Sequence, residues 1–203
     1  MHEARESYDR LAENYDTRWA RYIDASVRLA VEAIELDGQE RILDLACGTG
    51  QLEGRLLDRW PILKITGVDV SPKMLGRAAG KRLSAHWLAA EAAALPLADG
   101  LFDAVVCVSA YHYFRQPATA LAEIRRVLRP GGWLVVVDWC DDYLSCKLCS
   151  AWLRLTDRAF YKTYSLAACR REVEKAGFTV ESAGRHRLSW LWGMMRLVGR
   201  RTT

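Results

Sequence analysis

The chain has 203 residues, a length that fits one globular domain. Its composition, 51% hydrophobic and 27% charged, is typical of a folded protein and excludes a disordered chain. The net charge of +4 is mild, and the scattered Lys and Arg argue against a nucleic-acid-binding face. We expect a cytoplasmic protein, because no apolar segment resembles a signal peptide or a membrane span and six cysteines without secretory signals fit a reducing compartment.

Apolar residues at spacings of three and four predict a helical region over residues 3–36, closed by the turn signal Asp37-Gly38. Strands and helices then alternate. Short apolar runs predict strands at 41–46, 62–70, 85–89, 101–108 and 133–137. The intervening segments predict helices at 51–59, after the capping pair Ser71-Pro72, and at 117–129. This alternation predicts a mostly parallel sheet with helices on both faces.

The last third of the chain departs from this alternation. Residues 139–164 are rich in Trp, Tyr and Cys and are predicted to be irregular. A helix is predicted at 165–176, with Ser165 as its cap. Two further strands, near 178–183 and 188–198, could pair as an antiparallel edge. We therefore predict one domain, residues 1–203.

A glycine turn follows the first predicted strand. The stretch Arg41–Leu52 reads RILDLACGTGQL, in which Asp44 interrupts the apolar run and Gly48 and Gly50 precede a helix. Such a turn leaves backbone N–H groups free at a helix N-terminus and lets a ligand approach the backbone. The turn indicates a nucleotide-type binding site, although an ordinary tight turn has the same local pattern.

Several polar residues lie where predicted strands end. Asp69, Ser109 and Asp138 each come at or just after the carboxyl end of a strand, as do Asp44 and the glycines. Because parallel strands end at one edge of a sheet and ligands bind there, these residues define the candidate site.

Ordered motifs give the chain a family resemblance. It resembles the class I S-adenosylmethionine-dependent methyltransferases, in particular the small-molecule branch that includes quinone-biosynthesis enzymes. The matching segments are ILDLACGTG (42–50), GVDVSPKML (67–75), EAAALPL (91–97), FDAVVC (102–107), SAYH (109–112) and EIRRVLRPGG (123–132). The resemblance implies a Rossmann-like fold with a seven-stranded sheet and an antiparallel last strand, and S-adenosylmethionine as cofactor. It also implies an N-terminal helical cap over 1–36 and a variable substrate lid over 139–164.

The resemblance also assigns cofactor contacts. Asp69 would accept both ribose hydroxyls, although a helix-capping role is the alternative. Met74 would lie against the adenine ring, and Glu91, where Asp is usual, would accept from the adenine amino group unless it is a surface residue. Ala46 replaces a common glycine, which is tolerable if its φ is negative. The implied cofactor-binding residues are Tyr15, Asp44, Ala46, Gly48, Gly50, Asp69, Val70, Met74, Glu91, Ala92 and Ser109.

His112 is the candidate general base, because it follows the fourth strand and imidazole titrates near neutral pH. A structural hydrogen bond is the alternative. Neighbouring aromatic residues could form a wall around the sulfonium and the acceptor or could belong to the core; they are Tyr15, Trp19, Tyr111, Tyr113 and Phe114. Aromatic residues over 139–164 predict a small-molecule acceptor with apolar or aromatic surface.

Three other interpretations stay open. Cys146 and Cys149 have the spacing of a metal or thiol-reactive pair, suited to an arsenite-type acceptor, but two apolar residues on a helix are favoured and no metal is predicted. Tyr143 and Lys147 match the pair of a short-chain dehydrogenase. The basic, Trp-containing tail around Trp190 and Leu191 could contact a membrane or a lipid acceptor, or serve a non-catalytic scaffold, although a strand is favoured there.

Overall fold

The computed structural model describes residues 2–156, 160–188 and 192–202. Its helices are α1 (His2–Leu11), α2 (Tyr15–Arg18), α3 (Ala20–Val31), α4 (Gln51–Arg59), α5 (Pro72–Gly80), α6 (Pro117–Val127), α7 (Leu144–Thr156) and α8 (Leu166–Lys175). Its strands are β1 (Arg41–Leu45), β2 (Lys64–Asp69), β3 (Ala85–Ala89), β4 (Phe102–Val108), β5 (Leu128–Trp139), β6 (Phe178–Arg187) and β7 (Gly193–Arg201). A short 3-10 helix, Tyr111–Tyr113, follows β4.

The seven strands form one sheet in the order β3-β2-β1-β4-β5-β7-β6. The first five strands pair in parallel, and β7 runs antiparallel between β5 and β6. The predicted fold class is therefore confirmed. The strand order reverses between β1 and β4, which is where a doubly wound sheet opens a crevice for its ligand.

Helices cover both faces of the sheet because successive strand residues point to opposite sides. Ile42 of β1 packs with the apolar side chains of α3 and α4, whereas the next residue, Leu43, packs with those of α6 and α8. Both residues are fully buried. This burial on both faces explains the nearly continuous apolar run of β1. It also fixes the position of β1 in the sheet, and with it the positions of Asp44 and of the glycine turn that follows.

Both predicted serine caps are confirmed. The Met74 N–H donates to Ser71 Oγ at 3.1 Å, at the start of α5. The Ala168 N–H donates to Ser165 Oγ at 3.2 Å, at the start of α8. Each bond satisfies one of the backbone donors left open in the first turn of a helix.

The structure corrects several boundaries. The N-terminal helical region is divided into α1, α2 and α3, and the segment predicted to be irregular contains the 13-residue helix α7. β5 is longer than predicted and runs through the Pro130-Gly131-Gly132 turn. In the tail, β7 begins at Gly193, whereas Trp190 and Leu191 lie outside the described residues. Within the described ranges, no helix is both long and apolar enough to cross a bilayer.

Candidate active site

The glycine turn after β1 uses left-handed backbone conformations. Ala46, Gly48 and Gly50 have φ angles of 65°, 55° and 78°. The N–H groups of Ala46 and Cys47 both donate to the Val68 carbonyl of β2, at 2.7 and 3.0 Å. The condition under which alanine would be tolerable here, a negative φ, is not met, because this pairing with β2 turns the chain into a conformation that strains any residue with a Cβ.

Gly48 and Gly50 serve this turn in different ways. A Cβ on Gly50 would lie 2.8 Å from the Trp87 ring and 3.2 Å from Ala78 Cβ, so only glycine lets α4 begin this close to α5 and β3. A Cβ on Gly48 would meet no atom within 4 Å. Gly48 therefore faces open space, and its backbone is accessible to a ligand.

Asp69 at the end of β2 fastens this turn. One carboxylate oxygen accepts the Gly48 N–H at 2.9 Å, and the other accepts the Ser71 N–H at 2.8 Å. Burial raises the pKa of Asp69, while these two backbone donors partly oppose that rise. Each carboxylate oxygen has a further lone pair, so the contacts leave acceptor capacity for two ligand hydroxyls.

Two adjoining cavities open at this edge of the sheet. The first lies over the end of β2 and the start of α5, and the second reaches Asp44. Seven predicted cofactor residues line the first cavity: Tyr15, Ala46, Gly48, Asp69, Val70, Met74 and Ser109. Four of these also line the second, so the two cavities form one continuous recess.

Three predicted cofactor residues line neither of these cavities. Gly50 is packed against Trp87, Ala92 is buried in the core, and Glu91 is exposed and forms a backbone bridge with Ala94. Their predicted contacts with the cofactor stay predictions.

His112 lies in the 3-10 helix after β4 and is held by Asp138 at the end of β5. Asp138 Oδ2 accepts the His112 backbone N–H at 2.9 Å, and Asp138 Oδ1 lies 2.6 Å from His112 Nδ1. Both residues are buried, and the imidazole stacks on Trp139 at 5.2 Å. A carboxylate at Nδ1 fixes the tautomer that carries its proton there, which leaves Nε2 to accept another proton.

A buried hydrogen-bond chain links the neighbourhood of His112 to the recess. Trp139 Nε1 donates to the Tyr22 hydroxyl at 2.5 Å, and that hydroxyl donates to Ser109 Oγ at 2.7 Å. Burial raises the pKa of Tyr22, so the phenol keeps its proton and acts as a donor. Sequence reasoning missed Tyr22, whose only signal is its place in a helical apolar stripe.

The N-terminal helices close over the glycine turn. Thr49 Oγ1 donates to Asp16 at 2.5 Å, and Lys81 Nζ lies 3.0 Å from the other Asp16 oxygen. Ser71 Oγ donates to Asp9 at 2.6 Å.

The predicted aromatic wall is present in part. Tyr15, Tyr113 and Phe114 line the first cavity, together with Tyr8, whose ring lies 5.4 Å from that of Tyr113. Tyr111 is instead fully buried in the core. Trp19 packs near Tyr22 and does not line either cavity.

Beneath the glycine turn, two buried carboxyl groups lie side by side, those of Asp44 and Glu53. Glu53 of α4 is fully buried next to Asp44, and Asp44 Oδ1 and both Glu53 oxygens have no hydrogen-bond partner among the described residues. Burial raises the pKa of both groups, and their mutual repulsion raises that of Asp44 further. Glu53 carried no signal in the sequence, since its position on α4 is an ordinary helical one.

The cysteines of the described residues are free thiols, and Cys146 is buried on α7 while Cys149 is half-buried. Burial raises the pKa of the Cys146 thiol, which lowers its reactivity as a nucleophile or metal ligand. In the parts of the chain that the structure describes, no three His, Cys, Asp or Glu side chains are arranged to hold a metal ion.

The fold and the site define a Rossmann-like α/β domain with the features of a nucleotide-type cofactor site: an acidic residue ends β2, a glycine turn follows β1, and both line one recess. The family described as "Methyltransferase domain" matches residues 43–136. Over this part the chain is similar to the class I S-adenosylmethionine-dependent methyltransferases.

Two relatives give the degree of similarity. The chain is 41% identical over 128 residues to a demethylmenaquinone methyltransferase of Thermus thermophilus, covering 61% of this chain and 55% of that protein. It is 37% identical over 145 residues to a ubiquinone/menaquinone biosynthesis C-methyltransferase of Syntrophotalea carbinolica, covering 68% and 61%. The chain thus spans between half and two thirds of the length of these relatives.

Solved structures share the fold. A chain of the complex between the Haloferax volcanii Trm112 methyltransferase activator and a methyltransferase superposes with a TM-score of 0.87, at 19% identity over 97% of this chain and 98% of that one. A methyltransferase from Thermotoga maritima superposes with a TM-score of 0.81, at 21% identity over 98% and 100%.

Proposed function

We propose that this protein transfers a methyl group from S-adenosylmethionine to a small aromatic acceptor of the quinone type. The observation that carries the proposal is the pairing of Asp69 with Gly48 at the wall of the recess. His112 and Asp138 line neither cavity, and a hydrogen-bond chain through Tyr22 joins Trp139, which stacks on His112, to Ser109 of the recess. The names of the relatives, which act in menaquinone and ubiquinone biosynthesis, supply the acceptor class.

The residues of the recess fit the cofactor. Asp69 has lone pairs for the two ribose hydroxyls, and Met74 supplies an apolar wall for the adenine ring. Asp44 Oδ1, which is buried without a donor of its own, suits the ammonium of the methionine end. Bound S-adenosylmethionine supplies an electrophilic methyl group on its sulfonium.

The chain contributes orientation, exclusion of water and one proton acceptor. The N-terminal helices and Tyr8, Tyr15 and Tyr113 enclose the recess. His112 Nε2 takes the proton of an acceptor hydroxyl, which makes the ring carbon beside that hydroxyl, or the oxygen itself, a stronger nucleophile. Asp138 holds the imidazole in the tautomer that this step requires.

The surroundings of His112 favour a flat ring as the acceptor. Trp139 stacks on the imidazole, and the Tyr113 and Phe160 rings lie 4.2 and 5.9 Å from it. Such a group of aromatic faces suits a hydroxylated naphthalene or benzene ring. One relative is a malonyl-[acyl-carrier protein] O-methyltransferase of Geobacter sulfurreducens, 37% identical over 136 residues, but the aromatic rings around His112 favour the ring-shaped acceptor.

Binding and turnover test the proposal separately. Titration calorimetry should detect S-adenosylhomocysteine binding to the wild type, and a folded protein that binds neither this product nor the cofactor would contradict the assignment. Methyl transfer from labelled cofactor should occur to a reduced naphthoquinone and not to malonate esters. His112→Ala should lower kcat by about a hundredfold at unchanged product affinity, and a change within a few-fold would exclude the proton-acceptor role.

A further inference from the structure

An exposed apolar stripe runs along one side of α7. Leu144, Leu148, Trp152 and Leu155 are 72%, 66%, 63% and 87% exposed. At 100° per residue, these four positions fall within about 80° of the helix circumference. Of the six large hydrophobic side chains that are exposed in the described residues, five lie between positions 144 and 161.

The opposite side of α7 is fixed to the protein. Cys146 is buried and its sulfur accepts the Gly193 N–H of β7 at 3.2 Å. Ser150 is buried and its hydroxyl accepts from Thr163 Oγ1 at 2.8 Å. These contacts set the rotation of α7, so its apolar stripe has to point away from the core.

The charge around the stripe is positive. α7 contains no acidic residue, and Lys147 and Arg154 lie seven positions apart, next to the stripe on the same side. Lys162 adds a third exposed cation nearby. Of the two preceding carboxylates, Asp141 is half-buried and faces these cations, and Asp142 accepts the Leu166 N–H at 2.9 Å.

The stripe adjoins the segment that covers the candidate base. The Lys162 N–H donates to the His112 carbonyl at 3.0 Å, and the Phe160 ring lies 5.9 Å from the imidazole. Tyr161 between them is exposed, on the side of the protein that carries α7. A surface that held α7 would therefore lie next to the segment that packs against His112.

We propose that α7 docks this protein on the surface of an anionic phospholipid bilayer. Apolar side chains would enter the boundary of the acyl chains, and Lys147 and Arg154 would meet the lipid phosphates, as in amphipathic interfacial helices. The contacts needed for this binding do not depend on the enzyme's reaction; the benefit to an apolar acceptor rests on the proposed function. Docking then brings α7 and the neighbouring segment to the bilayer, in which such an acceptor dissolves.

Vesicle co-sedimentation tests the proposal on the whole chain. The wild type should sediment with vesicles of equal parts phosphatidylcholine and phosphatidylglycerol. With vesicles of pure phosphatidylcholine, the fraction of protein in the pellet should be at least severalfold smaller. Binding to the anionic vesicles should weaken as salt rises. The double variant Leu148→Glu, Leu155→Glu should lower the partition coefficient about tenfold or more. Ile62→Glu is the matched control, because Ile62 is 71% exposed but lies before β2, away from α7, and should leave partitioning unchanged.

Other outcomes overturn the proposal. Failure of the wild type to sediment with anionic vesicles contradicts it, as does equal loss of binding in the Ile62→Glu control. If light scattering shows a dimer that the α7 variant breaks, the stripe binds a second copy of the chain instead. Circular dichroism and S-adenosylhomocysteine affinity of the α7 variant should equal those of the wild type, so loss of vesicle binding is distinguished from misfolding and from failure of the proposed function.

Discussion

Replacing Glu53 with glutamine should remove a pH dependence from the stability of this fold. The Glu53 carboxyl is fully buried beside Asp44, and a Cβ on Gly67 of the adjacent strand would lie 2.6 Å from one of its oxygens. Burial raises the pKa of Glu53 from its ordinary 4.5 to about 7, with Asp69 adding to the rise and Lys81 opposing it. The folded state therefore holds a proton that the unfolded chain has released.

The sign and size follow from this difference in proton binding. Between pH 4.5 and about 7 the folded state binds more protons than the unfolded state, so the free energy of unfolding falls as pH rises through this window and then levels off. One pKa unit corresponds to about 1.4 kcal/mol, so ionising Glu53 in the fold costs on the order of 3 kcal/mol. Glutamine keeps the shape without the charge and should lose most of this slope.

Urea unfolding at a series of pH values from 5 to about 8 measures the effect. The advantage of Glu53→Gln over the wild type should grow with pH by roughly 3 kcal/mol. Asp58→Asn is the control, because Asp58 is an exposed carboxylate on the same helix, α4, and should leave the slope of the wild type intact. Parallel curves for the wild type and Glu53→Gln would refute the reasoning.

Three further predictions concern the turn and the base. Asp69→Asn should weaken S-adenosylhomocysteine binding about tenfold or more in calorimetry, because one charged acceptor is lost; unchanged affinity would contradict the ribose role. Ala46→Gly should raise the free energy of unfolding by about 1 kcal/mol, since φ is 65° at Ala46. Ala92→Gly is the control and should lower the free energy of unfolding; an equal loss of stability in both variants would argue against strain at Ala46. Asp138→Asn should lower kcat about tenfold or more and shift its pH profile at unchanged product affinity; an unaltered profile would exclude the positioning role.

Local sequence patterns predicted the framework well. The β3 boundaries and those of α4 match the expected ranges, and Ser71 and Ser165 cap the helices as expected. These features depend on neighbours within a few residues, since hydrophobic spacing and capping act along one element. α7 was missed because apolar residues lie both on its buried side, at Cys146, and on its exposed side, at Leu148, so the segment lacks the one-sided pattern of a core-packed helix.

The sequence by itself determined the alternation of strands and helices around the parallel strands, the glycine turn and the edge of the sheet at which Asp44, Asp69 and Asp138 lie. Only the tertiary structure decided that Asp138 holds His112, that Tyr22 reaches Ser109 and that Glu53 is buried against Asp44. The reason is physical: periodicity tells which side of an element is buried, whereas contacts between distant side chains depend on strand register and on the rotation of each packed helix.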